Sequence, residues 1–286
     1  MIDLRNHHGE ASLTTFGGTL LSYKPRINGR LSDDLIWVSE TALYDGQKPV
    51  RGGVPVCWPW FGSYDATALG EDASDASKKG HGIARYFDWS VVTAEHATNE
   101  ATKITLALSS SEHIRKAWPH DFHLELDVTL GDCLELKLTG ENRSDREWIV
   151  SEAFHTYFAV DDAARVIARG YSSATVIDKL SLSSCSSQSG DVQVTTPMET
   201  IYLGTTATQS LNDGRRTILI EREGAASSVL WNPGPEGVKA FADMPDDQYR
   251  HTLCAEVANV LEDAYPLGPG DRHCMTMRLS LDAQES

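Results

Sequence analysis

The sequence has a shortage of positive charge. Its 286 residues include 25 lysines and arginines against 41 aspartates and glutamates, which gives a formal net charge of −16 at pH 7. Nucleic acids and anionic membranes both require a continuous basic surface, so neither is expected as a partner. The surplus of acidic residues is expected to lie on a solvated face.

Cysteine patterns and long apolar runs are lacking as well. None of the five cysteines belongs to a C-x-x-C pair, and an odd count without a secretory leader indicates a reducing compartment. The first residues, MIDLRNHHGEAS, are too polar for a signal peptide, and no apolar run approaches the length of a membrane span. We therefore expect a soluble cytosolic protein that acts as a monomer.

Several common catalytic motifs are missing. The sequence contains neither G-x-S-x-G, typical of serine hydrolases, nor G-x-x-x-x-G-K-[ST], typical of nucleotide sites. His120 and His123 would face opposite sides of a strand, so they cannot share a metal ion. Neither a metal nor a cofactor is expected.

Hydrophobic residues alternate with a period of two over much of the chain. In HLELDVTL, residues 123–130, every second side chain is apolar, and a similar run follows after Gly131-Asp132, a dipeptide typical of a hairpin turn. Further strands are predicted at residues 19–23, 35–39, 89–94, 103–109, 148–158, 217–221, 228–231 and 275–281. Helical signals are few, with one short helical turn expected at residues 246–251.

These strands predict an all-β protein, a large antiparallel two-sheet β-sandwich. A β-sandwich of this length can form one domain, and no linker divides the chain, so a single domain over residues 1–286 is expected. Two polar stretches, residues 65–79 and 181–192, are predicted to be mobile loops.

Residues 48–62, KPVRGGVPVCWPWFG, are the most informative segment. Arg51 offers a planar fork of donors that suits phosphate or carboxylate, and Gly52 and Gly53 allow the backbone to approach a ligand closely. The segment is equally compatible with a packed turn. A second segment, KKGHGIARYFDW at residues 78–89, again places an arginine, Arg85, near glycine, histidine and aromatic residues.

Six segments together resemble the ordered motifs of the glucose-6-phosphate 1-epimerases, the hexose-phosphate branch of the aldose 1-epimerase, or galactose mutarotase-like, proteins. They are RGGVPVCWPWFG, HGIAR, EAFHTYF, ATVIDK, WNPG, and MPDDQY followed by CAEVA. The resemblance runs from about residue 12 to about residue 258. It implies a β-sandwich whose cleft lies across a concave sheet, and a cofactor-independent isomerase that interconverts the α and β anomers of a hexose 6-phosphate.

Such a reaction needs one group that takes the proton of the C1 hydroxyl and another that protonates the ring oxygen. The resemblance implies that His155, in EAFHTYF, is the acid and that Glu256, in CAEVA, is the base. Taken alone, a histidine in an apolar run is more often structural. A glutamate in such a run is more often salt-bridged than catalytic.

The same resemblance assigns substrate contacts. Asp178 is expected to accept hydrogen bonds from sugar hydroxyls, His81 to line the sugar pocket, and Arg51 and Arg85 to bind phosphate. Each has an ordinary alternative, a loop aspartate or a surface arginine. Trp58 and Trp231, with Trp60 and Phe61, are expected to stack on the pyranose, although most tryptophans belong to a core.

Two other functions stay open. An aldose 1-epimerase of unphosphorylated sugars would have no reason to place two arginines at one pocket. A non-catalytic carbohydrate-binding protein on the same fold would not need both His155 and Glu256.

Overall fold

Alternating apolar and polar residues build long antiparallel strands in the computed structural model, which describes residues 1–69, 78–96, 101–181, 183–185 and 187–282. The clearest case is the hairpin of strands Phe122–Leu130 and Leu134–Asn142, in which buried and partly exposed residues alternate without interruption. Leu130 pairs with Leu134 across the turn, so the hairpin predicted at Gly131-Asp132 is confirmed.

The strands of the described residues range in length from two residues, as in Arg30–Leu31, to ten, as in Arg272–Leu281. In chain order they are β1 (Ile2–Asn6), β2 (Gly9–Thr14), β3 (Thr19–Ile27), β4 (Arg30–Leu31), β5 (Val56–Cys57), β6 (Ser90–His96), β7 (Thr102–Ser109), β8 (Phe122–Leu130), β9 (Leu134–Asn142), β10 (Trp148–Val150), β11 (Glu152–Phe154), β12 (Tyr157–Ala159), β13 (Ile167–Arg169), β14 (Thr175–Asp178), β15 (Ser183–Cys185), β16 (Val192–Gln193), β17 (Met198–Leu203), β18 (Gln209–Asn212), β19 (Thr217–Glu223), β20 (Ser227–Asn232), β21 (Thr252–Asn259), β22 (Tyr265–Leu267) and β23 (Arg272–Leu281).

Helices contribute little to the described chain. Two single-turn α-helices, α1 (Glu112–Arg115) and α2 (Gly234–Gly237), are accompanied by 3₁₀ turns at Ala84–Tyr86, Ala163–Arg165, Val238–Ala240, Gln248–Arg250 and Leu261–Asp263. The turn at Gln248–Arg250 agrees with the short helix predicted at residues 246–251. Within the described residues, none of the helices has the length and apolar character that a membrane crossing requires.

Two large sheets pack face to face. One has the strand order β16-β13-β18-β19-β23-β9-β8-β7-β6, and the other has the order β15-β14-β17-β20-β21-β11-β5, with β12 paired to β21. Leu126 and Met277 of the first sheet share one hydrophobic cluster with Leu230, Ala255 and Val257 of the second. The predicted two-sheet antiparallel sandwich is therefore confirmed. Strands β1 to β4 form a small third sheet, and β10 pairs with β22.

Two predicted strands differ from the structure. Residues 35–39 make only isolated bridges, Ile36 with Phe158 and Val38 with Gly52. The run at residues 148–158 is divided, because β10 pairs with β22 while β11 and β12 pair with β21. Ser151 and His155 donate their backbone N–H groups to the carbonyl oxygens of Pro59 and Pro55, in the register that pairs β11 with β5.

The two stretches predicted as loops are partly described. Residues 70–77 of the first lie outside the described residues, and Asp65 closes a turn by accepting from the N–H of Thr67. The second stretch is not all loop, because its backbone forms β15, which pairs with β14. The sequence signal missed β15 because Ser-Ser-Cys shows no alternation of apolar and polar residues.

Candidate active site

Strand register brings His155 and Glu256 together. Phe154 of β11 pairs with Val257 of β21, and Tyr157 of β12 pairs with Cys254, so one register continues across the break between β11 and β12. Positions 155 and 256 consequently lie opposite each other on neighbouring chain segments. His155 Nε2 is 3.5 Å from Glu256 Oε1.

Both side chains of this pair are buried, with His155 8% and Glu256 1% exposed. Atoms His155 Nδ1 and Glu256 Oε2 are buried without a hydrogen-bond partner among the described residues. Burial, reinforced by the charge of Arg85, lowers the pKa of His155 to about 3. Burial also raises the pKa of Glu256 well above its usual range. Both shifts favour the uncharged forms of the two side chains.

The pair lies at the floor of a cavity of about 370 Å³, a size that suits one small ligand. Its floor is the face of the eight-stranded sheet that points away from the sandwich core, and loops supply its walls. The lining residues are Arg51, Phe61, Gly62, His81, Arg85, His155, Tyr157, Lys179, Glu199, Ile201, Val229, Trp231, Phe241 and Glu256. The predicted residues Arg51, His81, Arg85, Trp231, His155 and Glu256 thus share one cavity.

His81 is fixed in one tautomer. The N–H of Gly62 donates to His81 Nδ1 over 3.3 Å, so in the neutral ring the proton lies on Nε2. Burial, followed by the charge of Arg85, lowers the pKa of His81 well below its usual range. The ring centroids of His81 and His155 are 5.3 Å apart. His81 is thereby a neutral N–H donor within the cavity.

Arg51 is held from three sides. Its Nε donates to Asp243 Oδ1 over 3.0 Å, its Nη1 donates to the hydroxyl of Tyr157 over 3.4 Å, and its guanidinium lies 4.4 Å from the ring centroid of Phe241. The sequence analysis missed these three partners. Asp243 directly precedes the MPDDQY segment, so its position beside a motif was the one signal available.

Arg85 has no carboxylate partner among the described residues. Its Nη2 donates to the carbonyl oxygen of Gly80 and lies 3.5 Å from the hydroxyl of Tyr86, while its Nε is buried and unpartnered. A second cavity of about 280 Å³ adjoins the first and shares Arg51, Arg85 and Tyr157 with it. Its charged lining groups are Lys48, Arg51, Lys79, Arg85 and Asp243, which makes it a cationic hollow beside the acid–base pair.

Lys179 and Glu199 form an ion pair of 3.1 Å at the opposite wall. Both residues line the cavity, with Lys179 just after β14 and Glu199 on β17. Sequence reasoning had included Lys179 in the ATVIDK segment without assigning it a role. Glu199 gave no signal, because only the pairing of β17 with β20 places it beside Trp231.

Asp178 is not brought together with His155 and Glu256. It lines an adjoining cavity of about 600 Å³, which shares Phe61, Gly62 and Lys179 with the central one. Its carboxylate accepts from the backbone of Leu180 and from the hydroxyl of Ser181, which closes its own turn. In this position Asp178 acts as a turn-closing aspartate.

The predicted stacking residues divide into two groups. Trp58 is fully buried among Trp118, Phe122 and Trp148, so it is a core residue and offers no surface to a ligand. Trp60 lines the adjoining cavity of about 600 Å³ rather than the central one, and it is 2% exposed and donates its indole N–H to the carbonyl oxygen of Lys79. Phe61 and Trp231 line the cavity. The sequence could not show which of these four aromatic residues line the cavity, because aromatic residues occur both in cores and in pockets.

The glycines of the two motifs lie against the protein's own backbone rather than against the cavity. Gly52 has φ +111°, and a Cβ there would lie 2.5 Å from the carbonyl oxygen of Trp37. Gly82 has φ +75°, and a Cβ there would lie 2.1 Å from the carbonyl oxygen of Trp58. The expectation that Gly52 admits a ligand was therefore wrong: these glycines let the loops dock on the sheet, which places Arg51 and His81 in the cavity.

A buried histidine–glutamate pair lies on the outer face of one sheet of this β-sandwich, and comparisons with known proteins give the class of the protein. The aldose 1-epimerase family matches residues 1–280, so the chain belongs to the aldose 1-epimerase family of isomerases. A relative from Escherichia coli, provisionally named glucose-6-phosphate 1-epimerase, is 33% identical over 88% of this chain and 81% of its own length. A relative from Cenchrus ciliaris with the same provisional name is 30% identical over 91% of this chain and 78% of its own.

Solved structures show the same fold. A crystal structure of a provisionally named mutarotase from Salmonella typhimurium has a TM-score of 0.85 at 28% identity, covering 98% of this chain and 89% of its own. A galactose mutarotase-like protein from Lactobacillus casei has a TM-score of 0.76 at 14% identity, covering 99% of this chain and 100% of its own. The fold implied by the sequence motifs is confirmed.

Proposed function

We propose that the protein is a glucose-6-phosphate 1-epimerase, which interconverts the α and β anomers of glucose 6-phosphate without a cofactor. The observation that carries this proposal is the convergence of one buried acid–base pair with two arginines at the same cavity. The names of the relatives from Escherichia coli and Cenchrus ciliaris support the same substrate class.

The reaction needs only proton transfers. Glu256 takes the proton of the C1 hydroxyl while His155 Nε2 gives a proton to the ring oxygen, the C1–O5 bond breaks, and a C1 aldehyde forms. Rotation about C1–C2 presents the other face of the aldehyde, and the reverse transfers close the ring. The reverse transfers also restore the Glu256 carboxylate and the His155 imidazolium, so the pair ends each turnover in the state in which it began.

Arg51 and Arg85 bind the phosphate at the cationic hollow, which fixes C6 and thereby holds C1 and O5 at the pair. Asp243 keeps Arg51 in place through its 3.0 Å ion pair. At the opposite wall, the pair of Lys179 and Glu199 takes the hydroxyl-orienting role first expected of Asp178.

Two further contacts complete the proposed site. His81 donates its Nε2 proton to a sugar oxygen, since its other ring nitrogen already accepts from Gly62. Trp231 and Phe241 offer apolar surfaces to the pyranose, with ring centroids 6.0 Å apart.

The decisive experiment measures anomer exchange of glucose 6-phosphate and of glucose by two-dimensional NMR exchange spectroscopy, with and without enzyme. The proposal predicts catalysis of glucose 6-phosphate exchange and much weaker catalysis with glucose. Equal rates on both sugars, without inhibition by sulfate, would instead support an aldose 1-epimerase of unphosphorylated sugars. Binding of either sugar without any exchange would support a carbohydrate-binding protein.

We also propose that the chain acts as a single-domain monomer in the cytosol. The family match along residues 1–280 supports one domain. Free thiols at Cys57, Cys133, Cys254 and Cys274 are compatible with a reducing compartment. Light scattering coupled to size-exclusion chromatography tests the oligomeric state.

A further inference from the structure

The imidazole of His155 is held in the cavity by neighbouring rings. Its Nδ1 makes no hydrogen bond to another residue of the described chain, whereas a functional histidine is commonly oriented by a bond at its second ring nitrogen. Three rings lie close to it. Tyr157 is nearly parallel to the imidazole, with centroids 5.0 Å apart and an interplanar angle of 17°, while His81 and Trp231 stand at 72° and 68°. Of these three rings, Tyr157 is the one that can fix the plane of the imidazole.

The Tyr157 ring is itself firmly held. It is 5% exposed, its backbone pairs with Cys254, and its carbonyl oxygen accepts from the N–H of Trp37 over 2.8 Å. The Trp37 indole stacks on the phenol ring, with centroids 5.9 Å apart at 29°, and donates its own N–H to Gln248 Oε1 over 3.1 Å. Because Tyr157 follows His155 by two positions in a continuous register, both side chains lie on one face of the sheet. A ring that is fixed in this way can orient its neighbour.

The hydroxyl of Tyr157 reaches the cationic hollow. It accepts from Arg51 Nη1 over 3.4 Å, and Tyr157 lines both the central cavity and the hollow. The hydroxyl proton has no acceptor in the part of the chain that the structure describes. Burial raises the pKa of Tyr157, so the hydroxyl stays protonated. The hollow therefore offers a neutral O–H donor beside a guanidinium, an arrangement that suits an anion.

We propose that Tyr157 binds the phosphate of the substrate and at the same time positions the acid, His155. Its hydroxyl, held by Arg51, donates to a phosphate oxygen, and its ring holds the imidazole in the plane from which Nε2 reaches the ring oxygen of the sugar. The oxygen of a phenol cannot move relative to its ring, so one rigid side chain fixes the distance between the two ends of the substrate. This inference rests on the proposed function and adds a phosphate-binding and positioning residue to that site.

The role of the hydroxyl is tested by Tyr157→Phe, which keeps the ring. KM for glucose 6-phosphate should rise roughly 10-fold, the effect of one lost hydrogen bond to a charged group, while kcat stays within about twofold. Sulfate should inhibit the variant more weakly than the unmutated enzyme. Turnover of glucose should not change, because glucose carries no phosphate. An unchanged KM for glucose 6-phosphate overturns the proposal, and so does an equal loss of activity on glucose.

The role of the ring is tested by Tyr157→Leu, which removes both the ring and the hydroxyl. Its kcat should fall at least about tenfold on glucose 6-phosphate and on glucose alike, because the imidazole loses its orientation. Phenylalanine at the same position should restore kcat but not KM, which separates the ring from the hydroxyl. If the leucine variant does not fold, Tyr157→Met, a longer apolar side chain without a ring, takes its place. An unchanged kcat in a folded variant without the ring overturns the proposal.

Tyr202 provides the matched control. It is a buried tyrosine on β17, its ring packs in the core 4.7 Å from that of Tyr171, and it lines neither the central cavity nor the hollow. Tyr202→Phe and Tyr202→Leu should leave KM and kcat unchanged, even where thermal unfolding shows a loss of stability. Turnover of glucose 6-phosphate by the unmutated protein, with an unchanged KM in Tyr157→Phe, refutes only this inference. Absence of that turnover in the unmutated protein refutes the proposed function itself.

Discussion

His155 Nε2 and Glu256 Oε1 are 3.5 Å apart because their positions face each other across a ladder that runs through β11, β12 and β21. The pair is almost closed to solvent, and each partner keeps one buried polar atom without a hydrogen bond among the described residues. Buried polar atoms are normally satisfied, so Glu256 Oε2 marks a position where a substrate is expected to bond.

Glu256→Gln should lower anomer exchange of glucose 6-phosphate at least about a hundredfold, the scale of a lost general base. The amide keeps the volume of the carboxylate, so binding of the sugar phosphate should persist. NMR exchange gives the rate and calorimetry gives the affinity. Near-normal exchange in a folded variant would show that Glu256 is not the base.

The same substitution should stabilise the protein at neutral pH. Burial raises the pKa of Glu256 above its ordinary 4.5, so the folded state keeps a proton that the unfolded chain releases. The resulting loss of stability begins as pH rises above about 4.5, and it grows until pH reaches the pKa of Glu256 in the folded state. Glu256→Gln should therefore raise the free energy of unfolding by about 1–3 kcal/mol at pH 7 and by little at pH 4. Urea unfolding at both pH values measures the difference; a variant less stable at pH 7 contradicts it.

Arg51→Ala should raise KM for glucose 6-phosphate by roughly 10- to 100-fold, as expected for a charge-assisted contact of about 1.5–3 kcal/mol. Turnover of free glucose should change little, because glucose makes no phosphate contact. Sulfate should inhibit the unmutated enzyme competitively and the variant more weakly. An equal loss of activity on glucose 6-phosphate and on glucose would show that Arg51 does not bind the phosphate.

Gly52→Ala should destabilise the fold by roughly 3 kcal/mol or more, since its Cβ would lie 2.5 Å from the Trp37 carbonyl oxygen at φ +111°. Gly46→Ala is the matched control, because Gly46 also has positive φ, +69°, but faces open space. Only the conformational cost, about 1–2 kcal/mol, should appear there. Equal losses of unfolding free energy in the two variants, measured by chemical denaturation, would show that the contact with the Trp37 backbone is unimportant.

Sequence periodicity predicted the sandwich well where strands are long and amphipathic. The β8–β9 hairpin is the best example, because each strand buries one face and alternation then has a physical cause. The prediction of one strand failed at residues 148–158, where β10 pairs with β22 and only β11 and β12 pair with β21. The pairing partner of each strand depends on segments distant in sequence, so the local residue pattern cannot predict where one strand ends and the next begins.

The candidate site was predicted unevenly for a similar reason. His155 and Glu256 stood out as polar residues in apolar runs, and Arg51 and Arg85 stood out within distinctive motifs. Glu199 lies on β17, outside all of the motifs, and only sheet order places it on the cavity wall. Trp58 was misassigned because burial is a property of the folded chain, not of the residue type.

The continuous register across the gap between β11 and β12 has a consequence for how this site can change. Main-chain pairing, rather than side-chain packing, sets the spacing of His155 and Glu256, so substitutions around the cavity can alter the substrate while leaving that spacing intact. Insertion or deletion of one residue in β21 before Glu256 would have the opposite effect. It would turn the carboxylate to the core face of the sheet, beside apolar residues such as Leu230 of β20. New specificities in this scaffold should therefore arise by substitution and loop exchange, with the length of β21 held constant.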